Sequence, residues 1–158
     1  MDNPIWAAII AGPMATVVAH WLSADWRGRS PLGRTRRQAL SGAWAGRIKQ
    51  DVGYALDAER AEISFNLKCG LRTVRGKGKY ELTVKGKTIR AEFTCRGGFV
   101  FERFLMLEYK NAKGHVVQFG SIVFQRSDGS DELEGPYAGY GYISKIPVSG
   151  YICVQRAD

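Results

Sequence analysis

Few residues in this chain are equipped for bond-making chemistry. The two histidines are His20, inside an apolar run, and His115, beside a glycine turn, and neither has a nucleophile motif near it. The carboxylates are sparse and fall mostly on the polar positions of alternating segments. Gly76-Lys77-Gly78-Lys79 lacks both the spacing and the following helix of a phosphate-binding loop. Cys69, Cys95 and Cys153 are far apart and odd in number, with no CxxC and no paired histidine. That excludes a zinc cluster or disulfide framework by spacing and fits a reducing compartment. The expectation is a protein that is not an enzyme and carries no metal or other cofactor.

The residue types that remain suit binding. Tyrosines gather late, at Tyr137, Tyr140, Tyr142 and Tyr151, and basic residues lie within alternating stretches at Arg90, Arg103, Arg126 and Lys145. Aromatic faces stack on nucleobases, and guanidinium groups fork onto phosphate oxygens. The candidate ligand contacts are therefore Arg90, Arg103, Tyr109, Arg126, Tyr137, Tyr140 and Lys145. The competing reading of each is structural, since strand tyrosines pack and strand arginines point to water.

The elements that must position them are strands. From Leu40 the apolar period is two, with Leu40, Trp44 and Ile48 alternating against Ser41, Arg47 and Lys49. Gln50 to Arg60 has room for a helical turn. Ile63, Phe65 and Leu67 mark a second strand. A third spans Arg72 to Val84 with Tyr80, Leu82 and Val84 on one face, and Lys85-Gly86-Lys87 reads as a tight hairpin. Thr88 to Arg96 is a fourth strand, with Ile89, Ala91, Phe93 and Cys95 on one face, and Gly97-Gly98 is expected to break it. Further strands follow at about 102–110, 115–125, 132–143 and 149–156. Eight strands with short connections favour an all-β, antiparallel, up-and-down β-barrel over a two-sheet sandwich. Such a barrel is either filled or holds one small ligand.

Before the strands lies Pro4–Leu22, PIWAAIIAGPMATVVAHWL, without a charge. As a helix it spans about 28 Å, close to the roughly 30 Å of a hydrocarbon core. Trp6, Trp21 and Trp26 sit where a headgroup layer favours them, and Arg27, Arg29, Arg34, Arg36 and Arg37 follow on one side only. A secretory signal peptide wants its basic residues before the apolar run, and a buried core helix is the bland alternative. We read residues 1–24 as a single transmembrane anchor helix, 25–37 as a basic linker and 38–158 as the barrel. By the positive-inside rule the barrel faces the cytoplasm. Ala7, Ala11, Ala15 and Ala19 repeat every four residues and form a stripe of small side chains, the kind that lets membrane helices associate. The net charge is +8, of which the domain beyond residue 37 carries about +5, so anionic ligands or lipids are the natural partners.

The layout resembles a family. The membrane segment, the basic linker, the opening Leu40-Ser41-Gly42-Ala43-Trp44-Ala45-Gly46 and the closing Gly135-Pro136-Tyr137-Ala138-Gly139-Tyr140-Gly141 and Gly150-Tyr151-Ile152-Cys153-Val154 look like the SMODS-associated, membrane-anchored, β-strand-rich effectors of bacterial cyclic-oligonucleotide anti-phage signalling (CBASS). The resemblance implies a barrel that binds a cyclic di- or oligonucleotide, a homo-oligomer formed on activation, and disruption of the inner membrane. This chain departs from the family's two membrane helices in having one span. The Leu-Ser-Gly-x-Trp opening also occurs in lipocalin-like and avidin-like barrels, so the alternative is a barrel that binds a lipid or other apolar ligand. If helix packing is the output, replacing Ala11 or Ala15 by a bulky residue leaves ligand binding intact and abolishes killing of the host cell. Unchanged killing in a plate assay would reject that role for the stripe.

Overall fold

A computed structural model of the chain describes residues 29–52, 60–112, 117–125, 131–141 and 145–157. The expected anchor, its alanine stripe, the proposed helical turn after Gln50 and Arg126 lie outside these residues. Among the described residues no helix is long and apolar enough to cross a membrane.

The chain forms one short helix, α1 (Arg34–Leu40), followed by β1 (Gly42–Val52), β2 (Arg60–Cys69), β3 (Val74–Val84), β4 (Lys87–Val100), β5 (Phe104–Asn111), β6 (Phe119–Gln125), β7 (Glu132–Tyr140) and β8 (Pro147–Ala157). Each strand pairs antiparallel with the next, and β1 pairs with β8 from Ala43–Ala157 to Val52–Ser149. The sheet is thus a closed eight-stranded barrel, as the meander pattern predicts, and the sandwich is excluded. Closure removes the two unpaired edges that an open sheet would present.

Alternation selects the inward side chains. Trp44, Phe65, Phe99, Leu105, Leu107, Phe124, Leu133 and Val154 interdigitate as the core at the end where the chain joins the barrel. We call this end the base and the opposite one the mouth. The base is sealed by residues that precede β1. Leu32 and Leu40 are buried there at 2% and 0% exposure. The Trp44 indole N–H donates to the Leu40 carbonyl oxygen at 3.0 Å.

Two expectations change here. Leu40 is the last residue of a helix, where alternation suggested the start of a strand. Arg34, Arg36, Arg37, Gln38 and Ala39 are unbranched helix formers or alanine, and the turn closes through Ser41 N–H to the Arg37 carbonyl at 3.0 Å. The segment from Arg29 is also part of the barrel's packing rather than a free linker. Ser30 N–H donates to the Phe99 carbonyl (2.9 Å) and Leu32 N–H to the Leu71 carbonyl (2.7 Å).

The glycine pair Gly97-Gly98, expected to break a strand, lies inside β4. A Cβ at Gly97 would sit 1.7 Å from the Met106 carbonyl oxygen of β5, and one at Gly98 would meet the Arg29 side chain at 2.8 Å. The pair lets the neighbouring strand and the incoming chain approach closely. Arg29 then crosses the bare backbone and donates from Nη1 to the Gly97 carbonyl at 2.8 Å.

Trp44 is the largest side chain in this plug. Trp44→Ala is expected to lower unfolding stability by about 3–5 kcal/mol. Trp44→Phe should cost about 1–3 kcal/mol, because the Leu40 carbonyl loses its donor. Urea denaturation of the two variants tests this, and a near-zero loss for Trp44→Phe would show that the hydrogen bond contributes little.

Candidate functional site

The interior is not uniform along the barrel axis. On β5 the inward residues Leu105, Leu107 and Tyr109 are 0%, 1% and 9% exposed, rising toward the mouth. The same trend runs along β2 and β8, and Ile48, Gln50, Tyr80, Ala91 and Val148 near the mouth are only half-buried. On these strands the exposure of the inward side chains thus rises toward the mouth.

Character changes with depth as well. The base half is aliphatic and phenylalanine-rich, whereas the mouth half presents Tyr80, Tyr109, Tyr137 and Gln50 from β3, β5, β7 and β1. The registers Ile63–Tyr80, Cys95–Tyr109, Ile122–Tyr137 and Gln50–Gly150 put all four on the inner face. The Tyr137 hydroxyl donates to Gln50 Oε1 across a long 3.4 Å contact. Phe93 meets Tyr109 edge-on, with centroids 6.1 Å apart.

The tyrosine rings lie along the wall because neighbouring strands offer glycine. A Cβ at Gly120 or Gly139 would come within 2.5 or 2.3 Å of the Tyr109 hydroxyl oxygen, and one at Gly150 within 2.9 Å of the Tyr137 ring. A side chain at any of these positions would push the ring toward the lumen axis. Burial raises the pKa of both phenols well above the ordinary tyrosine value; Tyr80 adds to it for Tyr109, and Tyr109, Asp51 and Tyr80 add to it for Tyr137. Both remain protonated donors at neutral pH.

Among the described strand residues, inward register positions carry charge only at the extremes. Lys87, paired with Val84, stands at the lip. Arg156 stands at the base, where it donates to the carbonyls of Ala39 (2.6 Å) and Ser41 (3.2 Å). Between them no other described inward register position carries a charge, although Asp51, at the β1 bulge on the mouth side, lies close enough to act on Tyr137. Near the lip, Gln118 Oε1 is buried without a hydrogen-bond partner among the described residues. That acceptor is open to a donor, since an unpaired buried polar atom is costly.

The sequence-predicted residues divide accordingly. Tyr109 and Tyr137 are brought together in the lumen. Tyr140 lies on the outer face, stacked on Phe119 at 6.0 Å and 9°. Arg90 is exposed on the outer wall and donates from Nε to Glu81 at 2.6 Å. Arg103 is exposed in the β4–β5 connection at the base, far along the axis from the tyrosines, and Lys145 is exposed at the lip. Gln50 and Tyr80 joined the site without having been singled out. Their signal was parity, since Gln50 continues the inward series Trp44, Gly46, Ile48, and Tyr80 shares a face with Leu82 and Val84.

The cysteines offer no thiolate. Cys95 is buried and its pKa is pushed up to about 12, and desolvation also raises that of Cys69. Cys153 donates to Glu132 Oε1 at 2.8 Å, which with burial lifts its pKa to about 11. Among the described residues no group of three His, Cys, Asp or Glu side chains comes together.

The described residues form an all-β, antiparallel, closed eight-stranded barrel. The chain matches no family model, no curated protein and no solved structure.

Because the folded state holds Tyr109 and Tyr137 protonated while the unfolded chain releases those protons near pH 10, their contribution to stability is complete below pH 10 and is lost as pH rises beyond it. Denaturation midpoints should fall more steeply above pH 10 for the natural chain than for the Tyr109→Phe/Tyr137→Phe variant. Parallel curves would show that the two phenols are solvated.

Proposed function

We propose that this protein is a membrane-tethered receptor whose barrel takes a small ligand through its mouth, and that the ligand is a cyclic di- or oligonucleotide. The observation that carries this reading is the set of uncharged hydrogen-bonding side chains Tyr80, Tyr109, Tyr137 and Gln50 on the inner wall, with lysines at the lip. A nucleobase is a flat, neutral heteroaromatic ring edged with donors and acceptors. Phenol rings can stack on it and phenol and amide groups can pair with its edges. A phosphate drawn into the same space would lose its hydration without a counter-charge. Phosphates are better served at the lip, beside Lys87 and Lys145, so the ligand enters base first.

This placement differs from the arginine-lined site that residue types alone suggested. Arg90 is engaged by Glu81 on the outer wall, and Arg103 is at the wrong end of the barrel. The output of binding, assembly through the apolar segment and disruption of the inner membrane, rests on the resemblance to CBASS effectors.

A second reading has one observation in its favour. Among the described residues no inward register position between base and lip carries an arginine, and Leu82 and Val84 form a small apolar cluster with Ala61 and Tyr80 near the mouth. That suits a ligand with an apolar portion, though three phenols and an amide are poorly matched to a purely hydrocarbon one.

Calorimetry of the full chain in detergent against a panel of cyclic dinucleotides separates the two. Binding is expected, with roughly tenfold weaker affinity for Tyr80→Phe and for Gln50→Leu, corresponding to one lost hydrogen bond of about 1–1.5 kcal/mol each. Arg90→Gln should bind like the natural chain. No heat with any member of the panel, together with co-purified lipid in the extracted protein, would transfer the assignment to the apolar reading.

A further inference from the structure

The base of the barrel carries a surface that the lumen does not use. The β4–β5 connection, Phe101-Glu102-Arg103, links the paired residues Val100 and Phe104 by three residues and contains a turn over Val100–Arg103, closed by Arg103 N–H to the Val100 carbonyl at 3.3 Å. Both central residues have positive φ, 51° at Phe101 and 58° at Glu102. That conformation favours asparagine and glycine, and a bulky aromatic residue there is unfavourable on backbone grounds. The phenylalanine also gains little from the barrel's core, since it is 67% exposed. Its turn is held in place by Glu102 N–H donating to Ser30 Oγ at 3.2 Å.

A second exposed apolar residue lies on the same end. Leu71, 58% exposed, occupies the β2–β3 connection. The incoming chain runs between the two turns, bonded to Phe99 on one side and to Leu71 on the other. Around them stand the exposed cations Arg34, Lys68, Arg72, Arg75 and Arg103, against the exposed acids Glu102 and Asp131. The mouth end also carries exposed cations, Lys85, Lys87 and Lys145 among them, and exposed Val117, Phe119 and Ile146, so charge and apolar exposure alone do not choose between the two ends.

The continuation of the chain points to the occupant. Arg29 enters at the base, and the uncharged Pro4–Leu22 segment ends seven residue steps earlier. Seven steps reach at most about 25 Å. We propose that the base is a membrane-docking face, with Phe101 and Leu71 seated in the headgroup layer of an anionic bilayer and the surrounding arginines on its phosphates. Apolar side chains at a basic rim are the interfacial counterpart of a membrane anchor. The choice of the base over the mouth rests on reading Pro4–Leu22 as that anchor, since the chain joins the barrel at the base. Docked this way, the barrel stands upright and its mouth opens away from the lipid.

The test is quenching of tryptophan fluorescence by brominated lipid, with the full chain reconstituted in phosphatidylglycerol/phosphatidylcholine vesicles. A tryptophan is added in turn at Phe101→Trp, on the base, and at Phe119→Trp, on the exposed lip. Of the four native tryptophans, Trp6 and Trp21 lie in the apolar segment and report on it, Trp26 lies just beyond it, and Trp44, buried in the barrel, adds a constant background. The added tryptophan at 101 is expected to lose emission to the bromines and shift to the blue, and the one at 119 to do neither. In vesicles of phosphatidylcholine alone, or with Arg72→Gln/Arg103→Gln, the quenching at 101 should weaken. Quenched native tryptophans with an unquenched tryptophan at 101 would overturn the docking face and leave the anchor standing. Quenching at 101 without quenching of the native tryptophans would support docking and sink the anchor. Equal quenching at 101 and 119 would also overturn the upright orientation.

Discussion

The closure of β1 on β8 is the constraint from which the other features follow. The seam runs through glycine on both strands. A Cβ at Gly46 would sit 2.0 Å from the Cys153 carbonyl oxygen, and one at Gly150 would sit 2.1 Å from that of Lys49. A side chain on either would force the two strands apart at the point where the ring closes. Because the seam holds, every strand has two partners, and the eight inner faces surround a single interior. An open sheet of the same strands would need a second layer to cover those faces.

Once the ring is closed, its two ends are no longer equivalent. The chain arrives at one end and seals it with Leu32, Leu40 and the Trp44 indole bonded to the Leu40 carbonyl. The other end is bounded by strand connections, and the inward residues there become progressively more accessible. Apolar burial is concentrated at the base, where it stabilises most per side chain. Polar inward groups collect toward the mouth, where water or a ligand can satisfy them. One asymmetry, the side on which the chain joins, thus separates a densely packed half from a half whose inward groups are more polar and more exposed. It also puts the strained Phe101 turn and the arginines at the base, away from the lumen.

Much of this was legible in the residues. Alternation located the strands and placed Ile89, Ala91, Phe93 and Cys95 on one face, which already puts Arg90 on the other. The hairpin at Lys85-Gly86 was readable from its turn residues, and Gly86 has the positive φ such a turn needs. Less readable was Leu40, because Leu40, Gly42 and Trp44 satisfy a period of two while the first of them belongs to a helix. Gly97-Gly98 was misread for a related reason. Glycine in a strand looks like a break unless the atoms that crowd it are known, and here those belong to Met106 and to Arg29, 68 residues away from Gly97.

The amino-acid pattern by itself determined the all-β class, the eight strands and which residues share a face within each. These are short-range properties, because side-chain direction along a strand has a period of two and needs no partner to define it. Only the tertiary structure decided that the sheet closes, which end is sealed, and that Gln50, Tyr80, Tyr109 and Tyr137 meet. Those depend on register around the ring, where each strand's height is set by its neighbours' pairing and by the glycines that let them approach. Tyr109 and Tyr137 are 28 residues apart in sequence, and Gln50 and Tyr137 are 87 apart. No local pattern links them, and only the closed ring brings their side chains to one depth of one lumen.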